Sequence, residues 1–161
     1  MKRLLITLVT LFLLISLSAC GNSSDNSSKP KELTKKQIKD KIQEIDYWLV
    51  DYWNDAVCDI YHFTEDGKNS VGETMDVDIT MKQYSKHFTK ANDYNIFITS
   101  LNNDYEDIKF AWDKIYTQMM IIDEYIKNHG IVEDKDNSLD TGLFTQAMNL
   151  FSDYAYELYS Q

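Results

Sequence analysis

Helix breakers are almost absent from this chain, and that limits its fold more than any other feature. The one proline is Pro30, and the five glycines are Gly21, Gly67, Gly72, Gly130 and Gly142. The stretches 31–66, 73–129 and 143–161 therefore run uninterrupted. Each carries apolar residues at steps of three and four, the mark of a helix with one buried face. The first face is Ile38, Ile42, Ile45, Leu49, Tyr52, Ala56, Ile60 (or Asp59) and Phe63. It opens on Thr34 and Gln37 at capping-box spacing, with Leu33 and Ile38 at staple spacing. A second start of the same kind, Thr80 and Gln83, leads into Tyr84, Phe88, Ala91, Asn95 (or Tyr94), Ile98 and Leu101.

The third face runs Tyr105, Ile108, Trp112, Ile115, Met119, Ile122 and Ile126. Its phase would let it continue the second helix. An unbroken helix over 80–128 would be about 73 Å long at ~1.5 Å per residue, more than a domain of this size needs. A break near 100–103 is expected, with Asn103 and Glu106 as the next capping box. The last face is Leu143 (or Phe144), Ala147, Leu150 (or Phe151), Tyr154 and Leu158, capped by Asp140 or Thr141. The pattern predicts an all-α bundle of four helices at about 34–65, 80–101, 103–129 and 140–160. Val71, Met75, Val77 and Ile79 alternate weakly and suggest one short extended piece.

The first 32 residues read differently. Lys2 and Arg3 precede an apolar run, Leu4 to Leu17, interrupted only by Thr7, Thr10 and Ser16. This is the layout of a secretory signal, and it is short for a membrane span of about 20 residues. Leu17-Ser18-Ala19-Cys20 then resembles the lipobox of bacterial lipoproteins at all four positions. The resemblance implies a diacylglyceryl group on the Cys20 thiol and cleavage before Cys20. It places the mature protein on the extracytoplasmic face of the cell membrane, with no other cofactor expected. Two acyl chains hold a protein stably where one binds marginally, at about 0.8 kcal/mol per buried CH₂. Gly21 to Pro30 is polar and rich in Ser and Asn, a tether reaching about 18 Å on average. The expected division is a signal peptide at 1–19, lipidated Cys20 and linker at 20–32, and a helical domain at 33–161.

Charge narrows the partners. Beyond residue 19 the chain has 14 lysines, no arginine and 26 acidic residues, a net charge of −12. It lacks the bidentate phosphate clamp of arginine and its field repels polyanions, so nucleic acid is excluded as a partner. The lipid anchor is then its expected contact with the membrane.

Candidate chemistry is sparse. Asp51, Asp55, Cys58 (or Asp59) and His62 fall within about 60° of one another on a regular helix of ~100° per residue. Cys58 and His62 could share a metal such as zinc, which takes N and S ligands, or the whole set could be a solvated face. Cys58 is left alone once Cys20 is lipidated, so it is either a reactive or crosslinking thiol or a small apolar filler. Asp134-Lys135-Asp136-Asn137-Ser138 starts like a calcium loop, but Leu139 and Thr145 stand where that loop needs Gly and Glu. An acidic solvated loop fits better. There is no G-x-S-x-G, H-E-x-x-H or phosphate loop, so no enzymatic activity is expected.

Aromatic residues are in excess, with 11 Tyr, 7 Phe and 3 Trp. Tyr47, Trp48, Tyr52 and Trp53 crowd the first helix and form either a binding face or an aromatic core. The leading expectation is a non-enzymatic, membrane-anchored module that binds a protein or peptide at the cell envelope. In architecture alone it is similar to small lipoproteins of Gram-positive bacteria and their prophages, some of which block phage superinfection or confer bacteriocin immunity. The acidic surface suits a cationic peptide or a basic envelope or phage protein. One alternative is a small-ligand or metal-binding lipoprotein serving a transporter. Another is an envelope enzyme with an unrecognised pair of carboxylates.

Overall fold

A computed structural model describes residues 33–160, and the expectations for the signal peptide, Cys20 and the tether lie outside them. Among the described residues the fold is all-α and forms four rods. The first is a continuous rod of α1 (Lys35–Tyr52), a π-helical turn (Trp53–Val57) and α2 (Cys58–Asp66). The others are α3 (Val77–Thr99), α4 (Glu106–His129) and α5 (Gly142–Tyr159). Around the bundle the neighbours run α1, α3, α4, α5 and back to α1. The short connections set consecutive rods side by side, as expected for a bundle of this kind.

Thr34 starts α1 as the sequence predicts. Its hydroxyl accepts from the Gln37 amide at 3.2 Å, and the Gln37 side chain accepts from the Thr34 amide at 2.9 Å. The second start lies elsewhere. Asp76 caps α3 by accepting from the Ile79 amide at 3.0 Å, and Thr80 is buried one turn inside. The ionised carboxylate is the better cap, and starting a turn earlier places Thr80 on the core side with Tyr84. The extended piece expected over 71–79 is absent. Residues 70–76 form a turn pinned by Asn69, whose side chain accepts from the Val71 and Glu73 amides, and helix follows.

The break between the second and third helices is where the pattern places it. Its cap is Asn102, which accepts from the Asp104 amide at 3.0 Å, one residue before the predicted Asn103. A 3-10 turn (Asn103–Tyr105) then leads into α4. Gly130 ends α4 at φ 73° and Gly67 ends α2 at φ 75°, a left-handed backbone that favours glycine. A side chain at Gly67 would also strike Glu133. The acidic loop after Gly130 docks on α2, with the Leu139 amide donating to Thr64 Oγ1 at 3.0 Å and the Asp134 amide to the Thr64 carbonyl at 2.9 Å.

The π turn is the main departure from regular periodicity. The Cys58 amide bonds the Trp53 carbonyl five residues back, so the rod carries one extra residue per turn there. The buried face consequently advances through Tyr52, Ala56 and Val57, Ile60 and Thr64. Phe63, expected on that face, is only partly buried, and Asp59 gives way to Ile60. Both apolar stripes of the first helix are used: Ile42, Ile45, Leu49 and Trp48 all reach the core.

Candidate functional site

The four aromatics expected as a binding face do not share a surface. Trp48 and Tyr52 are core residues, 4% and 0% exposed. They stack on each other at 5.6 Å between ring centroids, and Trp48 meets Tyr94 edge-on at 4.8 Å. Trp53 is partly buried and stacks on Phe144 of α5 at 6.1 Å. Only Tyr47 faces solvent. The wide apolar arc of α1 directs Trp48 and Tyr52 inward, and Trp53 opens the π turn that follows.

The Asp51, Asp55, Cys58 and His62 sector is also broken by the π turn. Asp55 turns to α3, where His87 Nε2 donates to its Oδ2 at 3.1 Å; a carboxylate can only accept. Cys58 is a free, half-buried thiol, pushed above its ordinary pKa by burial and then by the charge of Asp59. That shift disfavours the thiolate that nucleophiles and metal ligands require. His62 packs against the Tyr61 ring. No group of three His, Cys, Asp or Glu side chains placed to hold a metal occurs among the described residues. In the loop, Asn137 Nδ2 donates to Asp134 Oδ2 at 3.0 Å, and Tyr125 donates to the Asn137 carbonyl at 2.7 Å.

Among the recesses between neighbouring rods is a groove of about 640 Å³ between α4 and α5. Leu143, Ala147 and Leu150 of α5 supply its apolar lining, and Asp113, Lys114 and Gln118 of α4 its polar edge. Leu143 is 60% exposed, and Phe110 and Ile121, a turn before and a turn after the α4 lining, are about half exposed. Phe110, Lys114, Thr117 and Ile121 recur at steps of four, three and four on the side of α4 away from its core stripe. This second stripe was the readable signal for the groove, but the stronger Ile108–Ile126 face drew the reading inward. The lining itself carries one acid, Asp113, and one base, Lys114, whose ammonium lies 4.5 Å from the Phe110 ring centroid. α5 carries Asp153 and Glu157 and no lysine, while Lys109 and Lys127 of α4 are engaged by the Leu101 carbonyl and Asp123.

A smaller recess is a cleft of about 360 Å³ between α1 and α3. Its ends are tied by two hydrogen bonds, Tyr94 Oη to Glu44 at 3.0 Å and His87 to Asp55 at 3.1 Å. Between these ties Asp51 on α1 and Lys86 and Lys90 on α3 line the opening, and none forms an ion pair among the described residues. Trp48 lines the cleft from below. Its indole N–H and the Tyr52 hydroxyl are buried without a hydrogen-bond partner, whereas Trp112 Nε1 donates to Asn95 at 3.1 Å. Lys41 bonds Glu44 and lies 4.9 Å from the Tyr94 ring centroid, and its proximity, with the Tyr94 bond, holds the Glu44 carboxyl below its usual range. No helix among the described residues is long and apolar enough to cross a membrane. No family model, curated protein or solved structure matches the chain.

Proposed function

We propose that this chain is a lipid-anchored, non-enzymatic module on the outer face of the cytoplasmic membrane, and that it captures a basic amphipathic helix in the groove between α4 and α5. The observation that carries the reading is the groove itself, in which Leu143, Ala147 and Leu150 are flanked by polar side chains of α4 in a chain of strongly negative net charge. A helical peptide buries its i, i+3/i+4 and i+7 anchors in such a channel. Leu143, Ala147 and Leu150 would receive those anchors, with Ile121 and Phe110 extending the contact along α4. Lysines flanking the anchors would then meet Asp113 and Asp153, which raises the encounter rate and fixes orientation. A second copy of this chain suits the groove poorly, because each copy carries a net charge of −12 beyond residue 19. A cationic bacteriocin or a basic phage protein at the envelope has the required chemistry.

The test is titration of the full-length protein with a designed helical peptide of leucine and lysine in amphipathic order, read by calorimetry and by backbone NMR. Saturation at one peptide per chain, shifts confined to α4 and α5, and a loss of about tenfold or more in Leu143→Glu would support the reading. The tenfold figure corresponds to the roughly 1.4 kcal/mol of one lost anchor. Equal binding of a scrambled or glutamate-based peptide, or shifts on another face, would overturn it. Anchoring is tested separately by labelling cells with radioactive palmitate, where Cys20→Ala should abolish incorporation.

A further inference from the structure

The α1–α3 cleft is unlike an ordinary gap between helices. Its two ends are tied by hydrogen bonds across the seam, while the charged side chains of its middle form no ion pair among the described residues. Asp55 reaches His87, since the π turn carries it toward α3, and Glu44 reaches Tyr94. These bonds hold the helices at a fixed separation. In the middle Asp51 on one wall and Lys86 and Lys90 on the other form no ion pair among the described residues, although the charge of Lys90 also acts on Glu44. Beneath them lies Trp48, 4% exposed, whose indole N–H is buried without an acceptor. Buried donors without acceptors are costly and therefore rare. The volume, about 360 Å³, lies at the lower end of the roughly 300–1,000 Å³ typical of small-ligand clefts.

We propose that this cleft binds a small zwitterion of amino-acid size, with its cationic group against Asp51 and its anionic group against Lys86 and Lys90. The mixed walls decide between ligand classes. A simple anion would leave Asp51 opposed to it, and a simple cation would leave the lysines opposed. A zwitterion completes both walls. The site is independent of the α4–α5 groove.

The experiment uses the full-length protein in a non-ionic detergent. Each of the twenty free amino acids and glycine betaine is titrated in, with acetate and methylamine as singly charged controls. Binding is read by calorimetry and by the Trp48 indole N–H resonance. The expected result is saturation by at least one zwitterion at one per chain, with movement of the Trp48 resonance. Asp51→Asn and Lys86→Gln should each weaken binding by about tenfold, the loss of one charge-assisted contact. Both side chains are exposed, so helical circular dichroism should be unchanged. Failure of every zwitterion to bind, equal binding of acetate or methylamine, or unchanged affinity in both variants would each overturn the proposal.

Discussion

The first rod meets its two neighbours in opposite ways. Against α5 its polar group is fully matched. Asp46 is 6% exposed and accepts from Ser152 Oγ at 2.6 Å and from Tyr159 Oη at 3.0 Å, and farther along the same seam Trp53 stacks on Phe144. Against α3 the contacts are aromatic and only partly matched, with two orphan donors below and unpaired charges above. A buried carboxylate is tolerated only when its oxygens find donors, so the α5 seam is a finished structural joint. The α3 seam keeps hydrogen-bonding capacity in reserve. The contrast separates packing that serves stability from packing that leaves room for a ligand.

Alkali should produce the largest effect, because it attacks both seams together. Burial raises the phenols of Tyr52, Tyr84 and Tyr94 in the α3 seam well above their ordinary value. Burial and Asp46 raise Tyr159 in the α5 seam to about 12. An unfolded tyrosine loses its proton near pH ~10. These groups therefore stabilise the fold fully below about pH 10, and that contribution is lost as pH rises through the folded values. Helical circular dichroism should be lost in one cooperative step above pH 10, together with a late rise in absorbance at 295 nm from the buried phenols. Complete phenol ionisation with the helices intact would contradict the burial of both seams.

Phe144→Ala comes next. The ring is fully buried between Tyr52 and Trp53, and its removal should cost about 3–5 kcal/mol in urea unfolding. Asp46→Ala should cost about 2 kcal/mol, because it strips the acceptor from two hydroxyls at once. A cost below about 0.5 kcal/mol would mean that the α5 joint is not held as its geometry implies.

The bundle was legible because its pattern is strong: four apolar stripes, glycines at the ends of α2 and α4, and Thr34 with Gln37 at the start. Single hydrogen bonds decided what the pattern could not. Asp76 outcompeted Thr80 as a cap, and Asn102 took the place of Asn103. The π turn was invisible because a regular ~100° step was assumed throughout, yet the surplus of Val50, Trp53 and Val57 beside the main stripe was its trace. That one residue moved Asp55 to His87 and undid the Asp51–His62 sector. The cleft could not be read from the chain, since a recess is made by two helices and the sequence shows one at a time; of the groove only the α4 stripe of Phe110, Lys114, Thr117 and Ile121 was visible.

The smallest effect gives the sharpest test of the contrast. Asp55 is half exposed and its partner His87 is charged only when protonated, so the bond that closes the α3 cleft should contribute little to global stability. A double-mutant cycle of Asp55→Asn and His87→Gln should give a coupling energy under about 1 kcal/mol, as for exposed pairs. His87→Gln alone will cost more, since that ring also packs near Trp48 and Tyr52, and the cycle removes this shared packing loss. A coupling above about 2 kcal/mol would place the bond in the class of desolvated, structural contacts. The α3 seam would then be a joint of the same kind as the α5 seam, and its unpaired middle would lose its distinction from ordinary packing. A small coupling leaves the two seams different in kind: the tie positions α3 against the π turn, while the aromatic layer beneath it holds the helices together.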